Sequence, residues 1–196
     1  MSSEKSDTRT RILETAWKLL EAGDGGEVRM ADIAKAVGIS RQALYLHFPK
    51  RADLLVATTK YLDEVKQVDD RLVASRTATS GVERLDAFIE AWGNYIPEIH
   101  GVAKALIAMQ ETDDEARLAW AGRTQAVREG CEAAVAALAR DGMLAPRWSP
   151  DQATDLLWTL LSVGNWEQLT RDCGWSQADY VDTLRSLARG ALVREA

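Results

Sequence analysis

"MADIAKAVGISRQALYLHFPKRADLL", residues 30–55, holds two short helical patterns on either side of a glycine and closes on a basic pair. Met30, Ile33, Ala34 and Val37 recur at the spacing of one helical face and stop at Gly38, which predicts a helix of two turns over 30–37. Ser40 is a natural cap for a second helix over 40–47, with Leu44 and Phe48 on one stripe. Two short helices joined by a tight glycine turn are the ingredients of a helix-turn-helix, whose first helix braces while the second presents its outer face to the DNA major groove. With Leu44 and Phe48 inward, Gln42, Tyr45 and Leu46 point away from the core, and Arg41 stands at the amino end with a side chain long enough to swing outward.

The chemistry of that outer face suits base reading. Arginine pairs in a fork with guanine O6 and N7, glutamine with adenine N6 and N7, and Ala43 or Leu46 can touch a thymine methyl. Tyr45, His47, Lys50 and Arg51 suit phosphates, which position a protein on the duplex without specifying sequence. Ser40 is counted with this DNA-facing set.

Working outward, Ile12, Leu13, Ala16, Trp17 and Leu20 predict a helix over 8–22 that ends at the turn GDGG, 23–26. After Pro49 a long helix is expected from Lys50 to Ser75 on the stripe Leu54, Leu55, Thr58, Tyr61, Leu62, Val65, Val68 and Leu72, followed by the break RTATSG at 76–81. Leu85, Phe88, Ile89, Trp92 and Ile96 form an amphipathic stretch closed by Pro97, and a short apolar helix runs over 102–109. Further helices are expected over 113–141, ending at Gly142, over 150–162 with a continuation to 172 interrupted around Gly164, and over 176–194. No strand-like alternation or internal repeat is present. The expected fold is all-α, with about 9–10 helices: a helix-turn-helix DNA-binding domain over 1–55 and a helical regulatory domain over 56–196.

The 196 residues are 46% hydrophobic, enough to bury a core in one or two units. A net charge of −6 argues against a protein that coats nucleic acid over its whole surface, but the charge is unevenly spread. Residues 1–60 hold 10 Lys and Arg against 8 Asp and Glu, and the remainder 14 against 22. An amino-terminal part able to face an anion therefore precedes an acidic body. The polar start MSSEKSDTRTR and the lack of any long apolar run give no membrane partner and a cytoplasmic location as expectations. Cys131 and Cys173, neither in a CxxC pair, are expected to be buried free thiols.

Two histidines without clustered spacing give no metal site, and no cofactor is expected. ETDDE at 111–115 is a solvated helix start, its charges near the positive end of the dipole. No nucleophile with an ordered base can be assembled, so no catalytic residue is assigned and the chain is read as a non-enzyme. A competing reading is a small-molecule-binding or catalytic helical protein whose helix-turn-helix is vestigial or used for protein contacts.

The run from Met30 to Leu55 resembles the signature of the tetracycline-repressor (TetR) family: Leu44, Tyr45, His47 and Phe48, then Lys50 or Arg51, then Asp53-Leu54-Leu55. The likeness extends back through Arg9, Ile12 and Ala16. It implies a homodimeric, ligand-responsive transcriptional regulator, usually a repressor, that binds a palindromic operator in double-stranded DNA and answers to a small-molecule effector. By position it implies DNA contacts for Arg41, Gln42, Ala43, Tyr45, His47 and Arg51, with Lys50 adjacent. One departure stands out: Arg29-Met30 occupies the place where members often carry Thr or Ser, so Arg29 itself would have to reach the phosphate. Trp92, Tyr95, Met109 and Trp120 come from segments that surround the ligand pocket in similar proteins, while Trp158 and Trp166 can serve pocket or interface. Core packing is the commoner use of any one such tryptophan. Leu157, Leu161, Leu184, Leu187, Ala191 and Leu192 are the candidates for a four-helix dimer interface.

Overall fold

The structure, a computed structural model, describes residues 2–22 and 28–194, with side chains from Asp7 onward; the turn expected at 23–26 lies outside the described residues. Among the described residues eleven α-helices follow in chain order: α1 (Ser2–Ala22), α2 (Met30–Val37), α3 (Arg41–His47), α4 (Arg51–Val65), α5 (Val68–Arg71), α6 (Val73–Thr77), α7 (Gly81–Met109), α8 (Asp114–Arg140), α9 (Pro150–Leu160), α10 (Val163–Glu167) and α11 (Gln177–Leu192). A π-helical turn, Gln168–Asp172, continues α10. Among the described residues there is no strand, only an isolated antiparallel bridge between Leu144 and Val193. The all-α expectation holds.

Packing divides the chain into two compact units. One comprises Met1–Lys66 and Ile99–Arg123, the other Gln67–Glu98 and Thr124–Ala196. In the first, Ile12, Leu13, Ala16 and Leu20 from α1 share a core with Ile33, Leu44, Leu54 and Leu62, all buried. This is the apolar stripe of each helix turned to a common centre. In the second, Leu85, Ile89, Cys131, Val135, Leu138, Leu157, Tyr180 and Leu184 are buried together with Trp92.

The first helix begins at Ser2 rather than near residue 8, and three further helix boundaries differ from the sequence reading, each of these three for a local reason. The helix expected to run from Lys50 to Ser75 stops at Val65. Val65 is 46% exposed, so the stripe has lost its buried partner by then. Gln67 adopts a left-handed φ of 53°, and Asp69 and Asp70 fall in the first turn of α5, where carboxylates suit the positive end of the helix.

Pro97 does not close a helix but lies inside α7. Proline lacks the N–H that would bond to the carbonyl four residues earlier, here that of Gly93. That carbonyl instead accepts a hydrogen bond from Gln177 Nε2 at 3.0 Å. The same Gln177 accepts from Trp166 Nε1 through its Oε1 at 2.8 Å. One glutamine thus satisfies the carbonyl freed by Pro97 and a buried indole.

The interruption expected around Gly164 falls earlier, at Leu161–Ser162. Trp92 Nε1 donates to the Leu161 carbonyl at 2.9 Å, and the Ser162 hydroxyl accepts from the Asn165 N–H at 3.2 Å, starting α10. The expectation for the thiols is half corrected: Cys131 is buried, whereas Cys173, in the bend after the π-helical turn, is exposed. Burial pushes the Cys131 thiol up to about 12.

Candidate nucleic-acid interface

The geometry of the helix-turn-helix follows from a few local choices. Arg29 occupies the N-cap of α2 without a side-chain capping bond, as the absence of Thr or Ser there leads one to expect. Gly38 ends α2 at φ 78°, a conformation that favours glycine, and its N–H bonds to the Ala34 carbonyl at 3.0 Å. Two residues later the Ser40 hydroxyl accepts from the Ala43 N–H at 3.1 Å and starts α3. Leu44 and Phe48 are buried and anchor α3 to the core.

The opposite face of α3 is open. Arg41, Gln42, Tyr45 and Leu46 are exposed, Leu46 at 83%, as are Ser40 before them and Lys50 after them. Ala43 and His47 are half-buried. A leucine this exposed on a helix that is otherwise well anchored contributes nothing to folding by burial. The Arg41 guanidinium lies 5.6 Å from the centroid of the Tyr45 ring, so the two side chains run together along the outer face.

Two arginines of α1 hold the carboxyl ends of both short helices. Arg9 Nη1 donates to the His47 carbonyl at 3.0 Å, and its Cζ stands 4.1 Å over the Phe48 ring. Arg11 Nη2 donates to the Val37 carbonyl at 2.9 Å. Each cation meets the last carbonyl of a helix, where unpaired acceptors and the negative dipole end coincide. Sequence reasoning gave neither residue this part, because a cation on the polar edge of α1 reads as solvated. The only signal was their placement two residues apart beside the α1 apolar stripe.

Arg51 is placed differently from the exposed set. Its side chain is largely buried and pairs through Nη1 with Asp113. Its Nε donates to the Val28 carbonyl at 2.9 Å, and its Nη2 lies 3.6 Å from the Met109 sulfur. Within the same unit Arg123 pairs with Asp63, and the Tyr61 hydroxyl donates to Glu14 Oε1 at 3.0 Å. Partial burial, with Glu14 second, raises the Tyr61 phenol above its ordinary value.

Of the aromatic and sulfur candidates, Trp92 and Tyr95 are buried in contact, ring centroids 5.6 Å apart, and Trp166 is buried in the same unit. Trp158 is half-buried there, while buried Met109 and half-buried Trp120 belong to the other unit. Of the six dimer candidates, Leu157, Leu161, Leu184 and Leu192 are buried within the chain, Ala191 is half-buried, and Leu187 is 53% exposed. Among the described residues no group of His, Cys, Asp and Glu is placed to hold a metal ion, and no helix is long and apolar enough to cross a membrane.

Comparison with known proteins bears on the same elements. Residues 12–58, which run from α1 into α4, match the family model for bacterial regulatory proteins of the tetR family. The nucleoid occlusion factor SlmA of Marinomonas sp. (strain MWYL1) is 39% identical over 64 residues, 33% of this chain and 32% of that protein. SlmA of Vibrio campbellii is 35% identical over 63 residues, 32% of each chain. The matched stretch is thus about a third of the length of these curated relatives. The fold as a whole is similar to that of a transcriptional regulator from Saccharomonospora viridis solved in complex with choline, at TM-score 0.75, 23% identity and coverage of 97% of this chain and 100% of that one. It is also similar to NalD, the secondary repressor of the MexAB-OprM multidrug efflux pump in Pseudomonas aeruginosa, at TM-score 0.69, 23% identity and coverage of 99% and 100%. Residues 12–58 therefore form a helix-turn-helix of the kind that defines the tetR family of bacterial regulatory proteins, and the fold of the chain is similar to that of solved transcriptional regulators.

Proposed function

We propose that this regulator binds a palindromic operator as a homodimer, represses transcription there, and is released by a small-molecule effector. The observation that carries the reading is the outer face of α3: Arg41, Gln42, Tyr45 and Leu46 stand exposed on a helix whose opposite side is locked down by Leu44 and Phe48. Arg41 and Gln42 have the donors and acceptors for purine edges, and Leu46 offers an apolar surface to a thymine methyl. Arg29, Ser40, Tyr45, His47 and Lys50 fix register through phosphates, and Ala43 packs beside them. Function divides at residues 1–55, which meet DNA, and 56–196, which dimerise and bind the effector.

Two-fold pairing places two α3 helices about one DNA turn apart, near 34–36 Å, so that one dimer reads two half-sites. Support for a dimer face comes from α11, whose Leu187 is exposed beside half-buried Ala191. Support for an effector site comes from the aromatic core of the second unit. There the Tyr180 hydroxyl is fully buried and finds no hydrogen-bond partner among the described residues. Such a group costs about 1–3 kcal/mol unless something satisfies it, and a polar atom of an effector would do so. The S. viridis protein of the same fold holds choline, an organic molecule of the appropriate scale. An effector acts by binding the DNA-free form more tightly than the DNA-bound form.

Selection from random duplex DNA tests the proposal. The expected product is a palindrome whose affinity falls steeply with salt. Recovery of no shared sequence would refute it and favour a helical protein whose helix-turn-helix serves other contacts.

A further inference from the structure

Arg51 begins α4 immediately after the DNA-facing helix, yet its guanidinium does not point into solvent. It is shared among three segments of one compact unit: the Val28 carbonyl just before α2, the Met109 sulfur at the end of α7, and the Asp113 carboxylate just before α8. The bond to Val28 joins the two ends of the stretch that contains α2 and α3, closing the helix-turn-helix at its base. Asp113 has a second task. Its Oδ1 accepts the N–H groups of Glu115 and Ala116 at 2.9 and 3.1 Å, which caps α8, while its Oδ2 takes Arg51. A cation at the amino end of α4 is unfavourable in itself, and the Asp113 carboxylate offsets it. The pair borders a cleft of about 490 Å³ lined also by Ala108, Thr112 and Glu115.

We infer that Arg51 is a positioning residue, not a phosphate contact, and that the Arg51–Asp113 pair is a latch through which the turn between α7 and α8 sets the presentation of α3. With the latch closed, Arg51 is held against Val28 and the base of the helix-turn-helix is fixed. When the turn carries Asp113 away, the guanidinium loses its counter-charge and the clasp on Val28 loosens. The inference rests on the DNA-binding reading above and adds the route by which a change elsewhere in the chain reaches α3.

The fork geometry makes the test sharp. Lysine keeps the charge of arginine but cannot donate to Val28 and Asp113 from one planar group. Serine at position 113 keeps a capping oxygen for α8 and removes the ion pair. Full-length parent, Arg51→Lys, Arg51→Ala, Asp113→Ser and the Arg51→Ala/Asp113→Ser double variant are titrated with the selected duplex and with an unrelated one over a range of salt. The expected result is a loss of about tenfold in affinity for the selected duplex in every variant, within the span usual for coupled sites. The double variant is no worse than either alanine or serine alone, non-specific affinity is kept, and the salt slope is unchanged. Full binding by Arg51→Lys with a slope lowered by about one in Arg51→Ala is the signature of a phosphate contact and overturns the inference. So does parental or tighter binding by Asp113→Ser. A parent protein that prefers no duplex overturns the DNA reading and this inference with it, whereas a parent that binds and a lysine variant that matches it overturns the latch alone.

Discussion

Arg41 and Gln42 share the exposed start of α3 but answer to different chemistry, and their consequences separate accordingly. Arg41→Ala is expected to weaken operator binding by about 1–3 kcal/mol and to relax the preference at one position of each half-site. Titration against duplexes carrying single base changes reads this directly: equal weakening across all sequences would mean that Arg41 meets only the backbone. The outer face of α3 was legible in the sequence because the alternative, burial, was already taken by Leu44 and Phe48 at the helical period. The roles of Arg9, Arg11 and Arg51 were not. Each depends on a carbonyl or carboxylate brought from a distant stretch, His47, Val37 or Asp113, and no local pattern announces such a partner. Position in a familiar motif gave Arg51 a phosphate to hold, while folding offers it Asp113.

At the scale of elements, boundaries decided by local chemistry were readable, and those decided by tertiary hydrogen bonds were not. Gly38 and Ser40 set the ends of α2 and α3 where the sequence places them. Pro97 reads as a terminator, yet α7 passes through it because Gln177, a residue of α11, takes the Gly93 carbonyl. The start of α10 shifts for a similar reason, since Trp92 draws on the Leu161 carbonyl. A double-mutant cycle in denaturant unfolding measures how far Gln177 compensates for Pro97. Gln177→Ala is expected to destabilise the protein by about 1–3 kcal/mol, because it strands the Gly93 carbonyl and the Trp166 indole. In a Pro97→Ala background the restored N–H supplies the Gly93 carbonyl, so the same Gln177→Ala change should cost measurably less. An identical loss in both backgrounds would mean that Gln177 does not compensate for the proline.

For the whole molecule, residues 1–60 carry a net positive charge and the remainder a net negative one, which suits the DNA-binding role proposed for the amino-terminal part. The all-α fold was legible from helical periodicity throughout. The core-facing leucines of α9 and α11 were harder to assign, since the same spacing serves an internal core and a subunit interface; Leu157, Leu161, Leu184 and Leu192 turn out buried within the chain. In the proposed dimer two copies of α3, held at fixed separation, read DNA together. Varying the spacing between the half-sites of the selected operator tests it most directly. Inserting about five base pairs, half a turn, should place the second half-site on the wrong face of the duplex and abolish high-affinity binding, and about ten should restore part of it. Affinity that ignores the spacing, or a complex holding a single protein chain, would contradict the account.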